Sequence, residues 1–274
     1  MTILATLAAA LVLPGFTQVA VEPSGATLLQ GTFPGTQRAG YVYLPPTPAP
    51  GRRYPVVYLL HGMPGSPSEF VDGAGLARFG AQAAASGVPP FIAVMPAAGP
   101  DPGYNGEWAG PWETALVRSV VPWVDTHLPT IRGPTGRVLA GLSAGGYGAV
   151  DIGIRNLGVF GTIESWGGYF TPLHDGPFEH AGRATLAEND VTRLARAAAG
   201  YLRSSGVRFF LSSGPAHSHW FRPQATVAFA RELHTLGVPV ALRLYTSARG
   251  QWSAQLEDGL TWALTHSVPH TPTA

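Results

Sequence analysis

Residues 136–150 read GRVLAGLSAGGYGAV, and they decide how the rest of the chain is interpreted. An apolar run of strand character ends in the pattern G-x-S-x-G at 141–145, and Gly- and Ala-rich residues follow it. In that context the pattern predicts a sharp turn from a strand into a helix, with Ser143 at the turn as a candidate nucleophile. Because the chain contains 35 glycines, the pattern alone is weak evidence, and a glycine-rich turn with a solvated serine is the alternative.

Strand and helix patterns alternate along most of the chain. Apolar runs at 26–33 and 38–46, joined by a Gly/Pro turn, predict an antiparallel hairpin. The continuous apolar run at 54–62 is typical of a strand covered on both faces. Further strands are predicted at 90–96, 136–143, 160–166, 207–213 and 239–245, and helices after Pro111, from Ala144, and at 191–203, 226–236 and 252–264. This order predicts an α/β fold with a mostly parallel sheet and helices on both faces.

The domain organisation is predicted to be simple. Residues 21–274 form a single domain, with an insertion at about 171–190, and residues 1–20 form a separate apolar segment. The apolar run at 3–13 is too short to span a bilayer as a helix of about 20 residues. It has the length of a signal-peptide core, although no basic residue precedes it. The open interpretations are a poor signal peptide, the stub of a truncated membrane segment and a buried element. We favour a secreted or membrane-attached protein, brought close to a membrane by this segment.

Composition excludes several classes of function. The chain has 17 basic and 16 acidic residues, a balance that gives no basic face for nucleic acid. It contains no cysteine, which excludes disulfides, thiol catalysis and cysteine metal sites. Hydrophobic residues make up 45% of the chain, enough for a sizeable core. A globular protein that acts on a small molecule is the expectation.

A second motif follows the strand predicted at 54–62. The stretch LLHGMPGSPSEF, residues 59–70, places His61, Gly62 and Met63 where that strand ends. In α/β-hydrolases the loop at this position supplies one of the two oxyanion N–H groups, and the residue after the nucleophile supplies the other. The predicted donors are the backbones of Met63 and Ala144. His61 is interpreted as a structural hydrogen-bonding residue.

Four sequence blocks together resemble a known family. LLHGMPGSPSEF, WETALVRSVVPWVD, GLSAGGYGAV and SWGGYFTP look like the esterase family that includes esterase D, the feruloyl esterases and the mycolyltransferases. The resemblance implies an α/β-hydrolase fold and acyl transfer from an ester to water or to an alcohol, with no cofactor and no metal. It places the nucleophile at Ser143 and the oxyanion donors at Met63 and Ala144. It matches Glu113 to the acidic residue of the WE pair that begins the second block, and we interpret this residue as structural.

The chain departs from the family at both partners of the serine. The family carries its acid in a G-x-x-D block after the penultimate strand, where this chain has SSGPAHSHW and His217 stands in the acid position. The family's histidine belongs to an H-x-W-x-x-W block after the last strand. Here that block reads SARGQW, so that Ser247 stands where the histidine is expected, and no histidine occurs between His234 and His266.

Two interpretations of this departure compete. In the first, a serine esterase keeps its activity with a displaced base, His217 or His219, oriented by Glu164 or Asp175. We favour His217, because it stands in the family's acid position. In the second, the domain has lost hydrolysis and binds a ligand or partner. A metal pair formed by the two histidines is a third hypothesis, which no further ligand cluster in the sequence supports.

Aromatic residues predict the character of the substrate. They fall in segments expected near the mouth of the site, although half or more are expected to be ordinary core or rim residues. They favour an apolar, lipid-like or aromatic acyl group over a charged metabolite. The predicted substrate-binding residues are Trp108, Trp166, Tyr169 and Trp220, with Trp112 and Phe170 in the same set.

Overall fold

The computed structural model describes residues 13–46, 51–83, 85–215 and 222–267. Within these ranges nine strands form a single sheet in the order β1-β2-β3-β5-β4-β6-β7-β8-β9. The strands are β1 Phe16–Val21, β2 Thr27–Gly31, β3 Gly40–Leu44, β4 Val56–Leu60, β5 Ile92–Met95, β6 Arg137–Leu142, β7 Thr162–Trp166, β8 Arg208–Ser213 and β9 Val240–Leu244.

The sheet is antiparallel at one side and parallel over the rest. β1, β2 and β3 pair antiparallel, and β3 pairs antiparallel with β5. From β5 through β4, β6, β7 and β8 to β9, every pair is parallel. All residues of β4, β5 and β7 are buried, as expected for strands covered on both faces. The predicted opening hairpin and the mostly parallel α/β sheet are both confirmed.

Helices cover both faces of the sheet and build two apolar cores. One core joins the sheet to α4, α6 and α8 and to the helical run 111–127, in which the predicted inward residues Leu116, Val120 and Val124 are all buried. The other core lies beneath α1 and α9. The helices are α1 Leu76–Ala83, α2 Pro111–Ala115, α3 Val121–His127, α4 Ala144–Arg155, α5 Arg183–Glu188, α6 Val191–Ala197, α7 Ala199–Ser204, α8 Pro223–Thr235 and α9 Gln251–Ser267, with a π-helical turn Leu116–Val120 between α2 and α3.

The structure differs from the sequence predictions in three places. The helix predicted at 191–203 is divided at Ala198, whose ψ of 3° turns the chain so that α7 starts in a new direction. α1 and α5 were not predicted, because each is short. β1 begins at Phe16, five residues before the predicted start of the domain, since its backbone pairs with β2.

The prediction for the N-terminal segment is only partly covered by the structure. Residues 1–12 lie outside the described ranges, so that export or membrane attachment stays a prediction. Within the described ranges, no helix combines the length and the apolar character that are needed to cross a bilayer.

Candidate active site

Ser143 lies at a tight turn between β6 and α4. Its φ of 52° and ψ of −116° make it the one non-glycine residue with positive φ in the described part of the chain. This is a strained conformation for a residue with a side chain, and such strain is concentrated at functional sites. The Ser143 N–H donates to the Trp166 carbonyl at 3.0 Å, which ties the turn to the end of β7. The predicted strand, turn and helix around Ser143 are therefore confirmed.

The glycines on each side of Ser143 allow two backbones to approach closely. A Cβ at Gly145 would lie 2.5 Å from the carbonyl carbon of Leu60 and 2.7 Å from the carbonyl oxygen of His61. A Cβ at Gly141 would overlap the carbonyl group of Gly145 and lie 2.8 Å from the Leu60 oxygen. Backbone atoms cannot rotate away as a side chain can. The turn therefore requires glycine at both positions, which explains the G-x-S-x-G spacing.

The loop after β4 lies beside the serine. β4 is the parallel neighbour of β6, and Leu60 pairs with Gly141. A Cβ at Gly62 would be only 3.6 Å from the Ser143 Cβ, so that the chain passes directly over the turn before it reaches the half-buried Met63. The first N–H groups of a helix have no partner within the helix, and this holds for Ala144 at the start of α4. The structure thus brings the two predicted donor positions to the same turn.

His61 is fixed inside the protein and does not reach the serine as a base. It is fully buried, its Nε2 accepts from the Ala98 N–H at 3.1 Å, and its Nδ1 lies 2.6 Å from the Gly62 carbonyl oxygen. Burial lowers the pKa of the imidazole to about 4, so that the ring is neutral near pH 7. With Nε2 accepting, Nδ1 carries the proton and donates to Gly62. The interpretation of His61 as a structural hydrogen-bonding residue is confirmed.

Trp108 supports the same loop and does not line a binding surface. Its side chain is 1% exposed, its Nε1 donates to the His61 carbonyl at 2.9 Å, and its ring contacts the His61 ring edge-on. The prediction of Trp108 as a substrate-binding residue is wrong. The indole is used to hold the strand end in place, because a buried N–H requires an acceptor.

Glu69 is a site residue that the sequence analysis missed. Its Oε2 accepts from the Gly62 N–H at 3.1 Å, and burial raises the pKa of its carboxyl. A Cβ at Gly65 would collide with the same carboxyl group. The Glu69 carboxyl group therefore binds the backbone of the loop that contains Met63 and holds it at the end of β4. The acid at the end of the block GSPSE was the available signal, since a carboxylate so close to a strand end can bind free N–H groups.

Glu164 and Trp166 lie on the other face of the sheet from the α4 helix. Trp166 is fully buried, and its Nε1 donates to Glu164 Oε2 at 2.8 Å. Both pack under α9, where a Cβ at Gly259 would collide with Glu164 Oε2 and lie 2.7 Å from Trp166 Nε1. Burial raises the pKa of Glu164 to about 8, so that its carboxyl is mostly protonated at pH 7. The predictions of Glu164 as an orienting carboxylate and of Trp166 as a substrate-binding residue are wrong, because both side chains are enclosed beneath the helix.

We expect Glu164→Gln to stabilise the protein at pH 8 by on the order of 3 kcal/mol. The folded chain keeps the Glu164 proton up to about pH 8, whereas the unfolded chain releases it near the ordinary value of 4.5. Between those values the unfolded state binds fewer protons, so the free energy of unfolding of the wild type falls as the pH rises. Glutamine stays neutral and removes this contribution. Urea unfolding at pH 4 and pH 8 measures it.

Glu257→Gln is the matched control for that experiment. Glu257 is an exposed residue on the same helix, α9, where it pairs with Arg78 at 3.1 Å. Its replacement should leave the pH dependence of stability as in the wild type. An unchanged slope between pH 4 and pH 8 in Glu164→Gln would contradict the assignment.

Tyr169 and Asp175 meet at a second buried acid, Glu107. Glu107 is fully buried, and its Oε1 accepts from the Tyr169 hydroxyl at 2.7 Å and from the Leu173 N–H at 3.3 Å. Burial and the nearby Asp175 raise the pKa of Glu107 well above its ordinary value. Asp175 lies before a short 3₁₀ turn in the predicted insertion, half-buried, and burial raises its pKa as well. Glu107 therefore anchors the chain that follows β7, and Asp175 lies close to it.

Comparison with known proteins identifies the family. A family model described as "Putative esterase" matches residues 32–257. The chain belongs to this family. Among curated relatives, Esterase Rv1288 of Mycobacterium tuberculosis is 34% identical over 129 residues. That alignment covers 43% of this chain and 26% of the relative, so that it spans about a quarter of the relative's length.

Solved structures show the fold of this esterase-family chain. A ferulic acid esterase superposes with a TM-score of 0.74 at 21% identity, covering 88% of this chain and 97% of that one. An S-formylglutathione hydrolase from Staphylococcus aureus gives a TM-score of 0.67 at 15% identity, covering 91% and 99%. The α/β-hydrolase fold implied by the motif blocks is confirmed.

The family's two partner positions differ in how far the structure describes them. His217, His219 and Trp220 lie outside the described residues. β8, which precedes them, ends at the same edge of the sheet as Ser143, because Leu142 pairs with Trp166 and Trp166 pairs with Ser212. Ser247 is exposed after β9. No group of three or more potential metal ligands occurs in the ranges that the structure covers.

Two buried amides join the start of α9 to the end of β8. Gln251, at the start of α9, is 4% exposed, and its side chain presses against Gly214, directly after β8. Gln255, one turn later, is fully buried and donates to the Ser212 hydroxyl at 3.0 Å. The sequence analysis missed both, since a glutamine near a helix start is ordinarily exposed.

Glu113 has the structural role that the sequence analysis gave it. Its Oε1 accepts from the Asn156 side-chain amide at 2.7 Å, which joins α2 to the end of α4. Trp112 and Phe170 are 8% and 6% exposed, so that they are mainly core residues. Of the aromatic residues predicted to contact substrate, Tyr169 alone is half-buried rather than enclosed within the described ranges.

Proposed function

We propose that the protein is a carboxylic ester hydrolase that works through a covalent acyl group on Ser143. One observation carries the proposal: Ser143 is a non-glycine residue held at φ 52° at the start of a helix. A residue with a Cβ in this region has a conformational cost of about 1–3 kcal/mol, which glycine would avoid. The turn keeps a hydroxyl there nevertheless. Family membership adds the reaction class.

The proposed chemistry follows from the groups around the turn. The Ser143 Oγ attacks the ester carbonyl carbon, while a base takes the hydroxyl proton and passes it to the departing alcohol. The negative oxygen of the tetrahedral intermediate accepts from the N–H groups of Met63 and Ala144. Water then attacks the acyl group on Ser143 and releases the acid. His61, Trp108 and Glu69 hold the Met63 loop in place without contacting the substrate.

His217 is the base that we propose. The chain leaves β8 after Ser213 at the edge where Ser143 lies, and Gly167 N–H donates to the Ser212 carbonyl at 2.7 Å. Together with the bond from Ser143 to Trp166, this ties the ends of three neighbouring strands together. His217 follows that strand end by only four residues in sequence, which is why we prefer it to the histidines farther along the chain. His219 is the second choice on the same argument, and Asp175 remains the proposed orienting acid.

We expect His217→Ala to abolish ester turnover and His234→Ala to leave it unchanged. His234 lies exposed near the end of α8, a helix that returns to the opposite edge of the sheet. For the wild type, kcat/KM should fall as the pH is lowered through about 6.5, the ordinary pKa of an imidazole. The reason is that the proposed base must be neutral to accept the serine proton. Full activity in both His217→Ala and His219→Ala would exclude a base in this segment.

The competing function is a binding module that has lost hydrolysis. The observation in its favour is the exposed Ser247 in the position of the family's histidine. Wild-type protein that turns over no short ester, and that remains unlabelled by a fluorophosphonate probe, would exclude the first function and make this second one the leading hypothesis.

A further inference from the structure

A cavity of about 560 Å³ opens between α6, α8 and the segment that follows β7. This volume falls in the range of small-molecule sites. Its walls are mainly apolar, and the rings of Phe170 and Phe229 stack there with centroids 4.5 Å apart. On α8 the cavity is lined by Ala225 and Ala228, whose side chains are single methyl groups. Larger side chains at these two positions would occupy part of the space.

Tyr169 connects the cavity to the nucleophile turn. It lines the cavity, and it is the third residue after Trp166, whose carbonyl accepts from the Ser143 N–H at 3.0 Å. Three residues of chain span at most about 11 Å. The Tyr169 ring also stacks on Tyr147, in the second turn of α4, with centroids 5.4 Å apart. One wall of the cavity is therefore built on the helix that begins at Ser143.

The buried acid Glu107 holds the same wall in place. Glu107 Oε1 accepts from the Tyr169 hydroxyl and from the Leu173 N–H, and both residues line the cavity. Glu107 itself is fully buried. Because both ends of the segment 169–173 are bound to one enclosed carboxyl group, the cavity is formed before any ligand arrives.

The polar rim of the cavity carries a closed ion pair. Arg196 of α6 donates to both carboxylate oxygens of Glu232 on α8, at 2.7 and 2.8 Å. Arg222 adds a second guanidinium at the start of α8. Since the Arg196 charge is already matched by Glu232, this pair offers no free charge to a ligand. The preference for a neutral hydrocarbon group comes from the interior below this rim, whose walls are mainly apolar.

We propose that this cavity binds a bulky, neutral hydrocarbon part of the ester substrate, and that Ala225 and Ala228 set the size it accepts. The inference rests on the proposed ester hydrolysis at Ser143. It predicts that esters with a ring-sized group are better substrates than acetates of small alcohols, because only the larger group fills the space beside Tyr169.

The test fills the cavity and compares substrates. In Ala228→Leu, kcat/KM should fall by roughly tenfold or more for p-nitrophenyl cyclohexanecarboxylate, because a displaced hydrocarbon group is worth 10–200-fold. The value for methyl acetate, which carries no ring-sized group on either side of the ester, should stay within about twofold of the wild type. A second arm compares cyclohexylmethyl acetate with methyl acetate, to find whether the acyl or the alcohol part is bound. His234→Leu adds the same side chain on the opposite face of α8 and should change neither substrate.

The outcomes separate the cavity from the reaction. A tenfold loss of kcat/KM for either the bulky acyl substrate or the bulky alcohol substrate, with methyl acetate unchanged, supports the proposed role of the cavity. An equal loss for all substrates, or no loss for any, overturns it, and the thermal midpoint of Ala228→Leu shows whether the fold was kept. If the wild type hydrolyses no ester, the proposed function fails instead. Calorimetric binding of ethyl cyclohexanecarboxylate to Ser143→Ala, with and without Ala228→Leu, then still tests the cavity, since it requires no turnover.

Discussion

Ser143→Ala should lower kcat for ester hydrolysis by a factor on the order of a million. The hydroxyl is the only proposed covalent acceptor for the acyl group, and alanine has no atom to replace it. A residual acceleration of about a thousandfold over water should remain, because the proposed oxyanion donors and the proposed binding site are unchanged. Release of p-nitrophenol from a p-nitrophenyl ester measures the loss. Mass spectrometry after a fluorophosphonate probe should locate the single label at Ser143.

Ser247→Ala is the control for this experiment. The sequence resemblance matches Ser247 to the family's histidine if Trp252 is the second tryptophan of that block, and the Ser247 Oγ accepts from the Arg249 N–H at 3.2 Å in an exposed turn. Its replacement should leave turnover as in the wild type. Unchanged turnover in purified Ser143→Ala, or a label on another serine, would exclude the proposed mechanism.

The second large effect is on stability and concerns Gly145. A Cβ at this position would lie 2.5 Å from the Leu60 carbonyl carbon and 2.7 Å from the His61 carbonyl oxygen. Two strands and the start of α4 would have to separate to make room for it. We expect Gly145→Ala to lose about 3 kcal/mol or more of its free energy of unfolding, at the upper end of overpacking effects. Urea unfolding followed by circular dichroism measures this.

Gly200→Ala is the matched control for overpacking. Gly200 lies within α7, and a Cβ there meets no atom within 4 Å. Alanine in a helix interior is favoured over glycine by about 0.5–1 kcal/mol, so this variant should be slightly more stable than the wild type. If Gly145→Ala and Gly200→Ala behaved alike, the close approach of the backbones at the turn would not be the reason for the glycine.

The fold and the turn at Ser143 could be predicted because their signals are local. The apolar run before Ser143 and the small residues after it specify a strand, a turn and a helix within fifteen residues. The alternation of strands and helices specifies a parallel sheet in the same way, since each unit is read from its own periodicity. The expected position of Met63 follows from the end of a neighbouring strand.

The enclosed tryptophans could not be predicted, because their fate depends on which helix covers them. Alternate residues of a strand face opposite sides of the sheet, so Glu164 and Trp166 share a side. The sequence does not say that α9 lies over that side. A carboxyl group in an apolar strand therefore looked accessible, whereas the structure encloses it with an indole as its partner. Trp108 was misjudged for a similar reason, since its acceptor is the carbonyl of His61, 47 residues away.

The contacts that join α9 to the turn at Ser143 limit which residues position 259 can accept. Gly259 packs on Glu164 and Trp166, and the Trp166 carbonyl receives the Ser143 N–H. Any larger residue at Gly259 must displace the Trp166 indole, and the backbone of Trp166 is hydrogen-bonded to the turn at Ser143. We therefore expect position 259, which lies on the far side of the sheet from α4, to tolerate no residue larger than glycine, and a survey of all substitutions there should find nearly as few accepted as at Ser143.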